Sequence, residues 1–234
     1  DLALRTAERL EASGAQVVVL ARAGQDLSRY RLRWSHLGFA YRDTRGEPGT
    51  KPVWRVVHKL NHCGSAQAQL YRQGLGEFFL DDLWRYEAVW AVPTPEVQQR
   101  LLPVLEDGAR VRTLQHAPYS MVSYAWGRKY QQSNQWALET LAFAMEPATV
   151  RTREQAQAWL RFKGYEPSVL RISPLVRLGA RMTSANLVPG SFSWDADSET
   201  LNYRIEVNYE LTVWGGCYDL VSLASGVGTA TIQY

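Results

Sequence analysis

Two alternating stretches flank one loop rich in Gly and Pro, and this arrangement restricts the fold more than any other feature of the chain. In residues 29–41, Tyr30, Leu32, Trp34 and His36 share one face, while Arg29, Arg31, Arg33 and Ser35 share the other. That is the two-residue period of a strand with one wet side. Residues 43–52 contain Gly46, Pro48, Gly49 and Pro52, a loop by turn chemistry. Residues 53–60 alternate again, with Trp54, Val56, His58 and Leu60 inward. The pattern predicts an antiparallel hairpin. With the loop centred near Glu47, Ala40 faces Trp54, Gly38 faces Val56, His36 faces His58 and Trp34 faces Leu60. Directly opposed side chains lie about 5 Å apart at their β-carbons, so the two histidines meet on the apolar face.

The rest of the chain mixes helix and strand signals. A short amphipathic helix is expected over 2–13, with Leu4, Ala7, Leu10 and Ala12 on one side and Gly14 as its stop. Residues 16–23 read as a buried strand, 66–74 as a short helix, and 86–92 as a strand closed by Pro93 and Pro95. Pro95 suits the first turn of a helix that runs through Val97, Leu101 and Leu105 to Gly108. A strand is expected over 119–126 and a strong helix over 134–145, ended by Pro147. Thr152 and Gln155 form a capping box for a helix over 153–163, which Gly164 terminates. From residue 191 the chain favours strands. The expected fold is α+β, an antiparallel sheet packed with helices, with residues 1–190 as one domain and 191–234 as a β-rich C-terminal extension packed on it.

A chain of 234 residues with 46% apolar and 21% charged residues is neither disordered nor fibrous. It is long enough to bury about 70% of its unfolded surface without staples. No apolar stretch approaches the ~20 residues of a membrane span, and a net charge of +3 is too small to imply nucleic acid. Nine tryptophans and twelve tyrosines suggest a wide apolar cleft or a partner surface. The start, Asp1-Leu2-Ala3, is neither a signal peptide nor an initiator methionine, as expected of a processed or trimmed chain.

Three groups of residues could carry chemistry. His36 and His58 could work as a pair, one accepting a proton while the other fixes its tautomer. Ser133, beside Asn134 and Gln135 at the start of the best helix, would sit where free backbone N–H groups can stabilise an oxyanion. The alternative for Ser133 or Asn134 is simple N-capping. Cys63, next to His62, could be a nucleophile, or could pair with Cys217 in a disulfide. His58, His62 and Cys63 match no common zinc spacing, so neither metal nor cofactor is expected. Asp81-Asp82 read as a cap or turn.

The stretches Trp34-Ser35-His36-Leu37-Gly38-Phe39-Ala40, Val57-His58-Lys59-Leu60-Asn61-His62-Cys63-Gly64, Phe78-Phe79-Leu80-Asp81-Asp82 and Tyr130-Gln131-Gln132-Ser133-Asn134-Gln135-Trp136 resemble a bacterial family, domain of unknown function number 2145. The resemblance covers roughly residues 10–190. Members of that family usually carry a signal peptide, which implies a periplasmic or secreted mature chain. More distantly, Ser35-His36-Leu37-Gly38-Phe39 is similar to the histidine strand of the circularly permuted papain-like hydrolases related to NlpC-type peptidases. In those proteins the histidine strand comes first, a second polar residue sits on the next strand, and the nucleophilic cysteine follows at a helix start. Here the order is His36, His58, Ser133, with serine where that motif has cysteine. The resemblance implies a permuted papain-like fold and a hydrolase or acyltransferase acting on an amide or ester, with Ser133 as nucleophile, His36 as base, His58 as orienting residue and Cys63 as the alternative nucleophile. The rival is a non-catalytic envelope protein that binds a cell-envelope component or protein partner through its aromatic surface and β-rich tail.

Overall fold

Val17–Arg22 is a run of six residues without one exposed side chain, and a strand of that kind must be covered on both faces. In the computed structural model, which describes residues 1–80, 83–121, 123–171, 204–207 and 224–231, this strand (β1) lies inside an antiparallel sheet. The other strands that carry the site are β2 (His36–Asp43), β3 (Val53–Asn61), β4 (Ala68–Gly74) and β5 (Glu87–Pro93). Their order is β4-β3-β2-β1-β5, and β8 (Ala224–Thr231) pairs on the outer side of β5. A separate two-stranded ladder joins β6 (Ser168–Arg171) to β7 (Arg204–Val207).

Helices cover both faces. Val17, Val19, Phe39 and Val57 pack against Leu101 of α3 (Pro95–Glu106) and against Trp136 and Leu138 of α4 (Ser133–Met145). Alternate residues Val18, Leu20, Ala40 and Val56 pack against Leu10 of α1 (Leu2–Ala12) and Phe78 of α2 (Leu75–Phe79). The period of two thus divides the strands between two cores. The α4 helix is buried along nearly its whole length, and α5 (Arg153–Phe162) closes over it. Trp136 meets Phe39 edge-on, with ring centroids 6.0 Å apart. Such a pair adds roughly 0.5–1.5 kcal/mol to the burial itself.

The fold is α+β with an antiparallel sheet, as the alternation predicts, and several local expectations are corrected. Residues 66–74 hold a strand, β4, because each position from Ala68 to Gly74 pairs along β3; the helix follows at Leu75. The described residues of 119–126 form no strand, with turns at Met121 and at Ala125-Trp126, and an isolated bridge joins Gln67 to Pro118. Of 29–41 only the part from His36 onward is strand: Ser28–Tyr30 is a turn of 3-10 helix, and Arg31 breaks the extended path at φ 59°. In α1 the buried side is Leu2, Thr6 and Leu10, while Leu4 is exposed. Asp81-Asp82, Cys217 and most of 172–234, including the 190/191 boundary, lie outside the described residues. Among the described residues no helix is long and apolar enough to cross a membrane.

Candidate functional site

The hairpin register brings the histidines together diagonally. Phe39 pairs with Val57 and Ala40 with Val56, two residues off the register expected from a loop centred on Glu47. A shift of two preserves every side-chain face, so His36 and His58 remain on the same side. Gly38 makes the approach feasible. A β-carbon there would stand 2.9 Å from the β-carbon of His58 and 2.8 Å from the Val57 carbonyl oxygen. Without one, the His58 ring lies over the glycine and reaches His36.

The contact is a hydrogen bond of 2.8 Å between His36 Nε2 and His58 Nδ1. The other nitrogen of His58, Nε2, is 2.7 Å from Gln73 Oε1 on β4. These distances fix the proton positions of neutral rings. Gln73 Oε1 is an acceptor, so His58 Nε2 carries the hydrogen and His58 Nδ1 accepts. His36 Nε2 therefore donates, which leaves its Nδ1 as a bare lone pair. That atom makes no hydrogen bond among the described residues. Phe78 packs on both rings, with centroids 6.0 Å and 5.2 Å away. Burial first, then the neighbouring His58 and the Arg22 guanidinium, hold the pKa of His36 well below 6.5, so the ring is neutral at neutral pH. Arg22 donates to the Phe78 carbonyl and lies over the Phe78 ring at 5.0 Å.

His36 opens into a cleft of about 490 Å³ at one end of the sheet. Arg22 closes β1 there, His36 opens β2, and Lys59, Leu60 and Asn61 end β3. The opposite wall is Tyr119, Met121 and the start of α4: Gln132, Ser133 and Asn134. The cleft curves over the strand ends, so it is lined from both faces of the sheet.

Ser133 is the first residue of α4; the N-cap is Gln132, not Ser133 or Asn134. The Ser133 hydroxyl donates to the Lys59 carbonyl at 2.7 Å, across to β3. Ser133 also hydrogen-bonds the Tyr119 phenol, whose pKa burial raises and this bond lowers. Serine and His36 thus share one cleft, while each has its own present partner.

Behind this wall is a buried polar network. Lys59, on the face of β3 opposite to His58, is fully buried. Its ammonium donates to the carbonyls of His116 (2.6 Å) and Gln131 (3.1 Å) and to Gln131 Oε1 (2.7 Å). Gln131 donates in turn to the buried Glu139, which Arg153 clamps at 2.9 Å and Gln157 reaches at 2.8 Å. Burial pushes the Glu139 carboxyl up, against the pull of Arg153. Burial also lowers Lys59 to about 7, with Arg153 adding to the fall and Glu139 opposing it. The network fixes the chain immediately before Ser133 to β3.

The sequence pattern gave no role to Lys59, Gln73, Tyr119 or Gln131. One signal for Lys59 was present: β3 is covered on both faces, and a cation inside such a strand must find acceptors. Cys63 is exposed on the turn after β3, has no disulfide partner among the described residues, and does not line the cleft. Among the described residues no group of three His, Cys, Asp or Glu could hold a metal ion.

A family model described as an uncharacterised protein conserved in bacteria, DUF2145, matches residues 9–209. The match runs beyond residue 190, where the sequence resemblance was expected to stop, so part of the tail is family sequence. No curated protein and no solved structure matches the chain.

Proposed function

The chain belongs to the DUF2145 family, and from that premise we propose that it is a hydrolase or acyltransferase of amide or ester bonds, built on a permuted papain-like plan. The observation that carries the reading is the Gln73–His58–His36 relay, which leaves a neutral imidazole with a free Nδ1 on the cleft that Ser133 lines. A general base needs an unprotonated lone pair, a fixed tautomer and an open approach. In this reading Ser133 Oγ turns away from the Lys59 carbonyl and attacks the acyl carbon. His36 Nδ1 takes the hydroxyl proton and returns it to the leaving amine or alcohol. Water, or a second alcohol or amine, then releases the acyl group. His58, held by Gln73, keeps the tautomer of His36 correct. The chain order of histidine strand, polar residue on the next strand and nucleophile at a helix start supports the papain-like plan, and the signal peptide usual in the family supports action in the periplasm.

A fluorophosphonate probe tests the reading. The expected result is one covalent adduct, mapped to Ser133 by peptide mass and absent from Ser133→Ala. A parent protein that takes no label favours the second reading, a binding protein of the cell envelope that kept the cleft. The bond from Ser133 to the Lys59 carbonyl is the observation behind that alternative, because it holds the hydroxyl away from any base.

A further inference from the structure

The ring of Phe162 stands in solvent. It is 83% exposed on α5, whose buried side is Ala156, Gln157 and Leu160. Two residues past Leu160 is about 200° around a helix, so Phe162 points away from the core. A single exposed apolar residue means little, but this one belongs to a strip. Residues 126–130 run antiparallel along α5. Arg161 lies over the Trp126 ring at 4.5 Å, Gln157 donates to the Gly127 carbonyl at 3.2 Å, and Arg153 donates to the Arg128 carbonyl at 2.7 Å. Trp126 meets Tyr165 edge-on, with centroids 5.9 Å apart. At the end of the helix the Lys163 ammonium lies 5.6 Å from the Trp159 ring and 5.9 Å from the Phe162 ring. In the loop Lys129 lies 5.3 Å from the Tyr130 ring.

The charge of this strip is one-sided. Arg128 pairs with Glu154 at 3.7 Å. Lys129, Arg161 and Lys163 are exposed and make no ion pair among the described residues; rings hold them, not carboxylates. Against these three cations stands the exposed Glu166. Exposed cations, amphipathic Trp and Tyr rings beside them and a bare apolar ring further out make the composition of a surface that rests on lipid. Nucleic acid fits less well, since proteins that grip it commonly contact ~6–10 phosphates.

We infer that the outer face of α5, together with residues 126–130, docks on the surface of an anionic phospholipid bilayer. In that pose Phe162 enters the acyl boundary, and Lys129, Arg161 and Lys163 meet headgroup phosphates. The strip continues through Tyr130 into Gln132 and Ser133 on the cleft wall, so docking sets the cleft beside the lipid surface. The inference concerns a surface and needs no nucleophile, so it stands apart from the hydrolase reading.

Co-sedimentation of the full chain with vesicles tests it. Vesicles of equal parts phosphatidylcholine and phosphatidylglycerol should carry the protein down, phosphatidylcholine alone should not, and added salt should release it. Phe162→Ser should weaken binding at least ~tenfold, through the apolar burial it removes. Arg161→Gln and Lys163→Gln should each weaken it about fivefold. All three side chains are on the surface, so the urea midpoints of the variants should stay close to the parent's. Equal sedimentation with both kinds of vesicle, or none with either, overturns the inference. So does binding that Lys163→Gln weakens and Phe162→Ser leaves unchanged, the pattern of a patch for polyanions such as nucleic acid. Fluorophosphonate labelling of Ser133 without vesicle binding would defeat this inference alone, and vesicle binding that depends on Phe162 in a protein that is never labelled would defeat the hydrolase reading alone.

Discussion

His36 Nε2 and His58 Nδ1 are 2.8 Å apart, and because His58 is already committed through its other nitrogen to Gln73, the pair can hold its protons in only one neutral arrangement. The free lone pair falls on His36 Nδ1, at the cleft. Nitrogen-15 correlation spectra of the imidazoles at neutral pH should show both rings as the Nε2–H tautomer. A Nδ1–H signal from His36 would reverse the relay.

The acceptor on Gln73 sets this direction, so its removal should be felt at the cleft. Gln73 sits on the edge strand β4 and is only half-buried, so Gln73→Leu should fold normally. The labelling rate at Ser133 should fall about tenfold or more, within the ~10²–10⁴ that a positioned base contributes. An unchanged rate would remove Gln73 from the relay.

The pH profile of labelling carries its own sign. The reacting form has neutral His36, and its pKa lies well below the ordinary 6.5. The rate should therefore stay level as the pH falls through 6.5 and decline only at lower pH. A profile that halves at about 6.5, the value of a free histidine, would show that the ring is not buried against Phe78 as the structure places it.

Gly38 should tolerate no side chain. A β-carbon at that position would meet the Val57 carbonyl oxygen and Val56 Cγ1 at 2.8 and 2.9 Å, as well as His58. Two of those contacts are backbone or branched side chain and cannot swing clear. Gly38→Ala should cost about 1–3 kcal/mol by overpacking, measured by urea denaturation, and should slow labelling by displacing His58.

Much of this architecture was legible in the sequence, for identifiable reasons. β1, β3, β5 and the helices α3, α4 and α5 carry strong local signals: an unbroken apolar run, a clean period of two, Pro at a helix start, Thr152 and Gln155 at a cap. The pairing of His36 with His58 followed from alternation alone, because a register slip of two leaves the faces unchanged. β4 was misread because Ala68 to Gly74 is an edge strand, mixed in polarity and specified by its ladder to β3 rather than by its own residues. The segment 119–126 was misread because Tyr119, Tyr124 and Trp126 imitate strand composition, although Tyr119 lines the cleft and Trp126 packs on Tyr165. Lys59 and Gln131 could not be assigned, since a buried polar network is a property of three segments that meet only after folding.

Lys59 gives that network a measurable signature. Its three acceptors use all three ammonium protons, and Lys59→Met would take that donor from the His116 and Gln131 carbonyls, while Gln131 Oε1 keeps the His116 N–H, at a cost of about 2 kcal/mol or more. The pH dependence is also defined. The unfolded lysine titrates near 10.5 and the folded one at about 7. Between those values the unfolded chain binds the extra proton, so stability rises with pH. Urea denaturation at about pH 7 and about pH 9 should show the parent gaining about 2 kcal/mol, with the gain absent from Lys59→Met. A parent curve that is flat or falls over this interval would contradict the folded pKa.

The central claim is that His36 acts on Ser133, and the most direct measurement is the rate at which a fluorophosphonate modifies Ser133 at neutral pH in the parent and in His36→Gln. The relay predicts a single Ser133 adduct in the parent, formed at least ~10²-fold faster than in His36→Gln, with both proteins unfolding at similar urea concentrations. Equal rates in the two proteins, or an adduct that persists in Ser133→Ala, would contradict it.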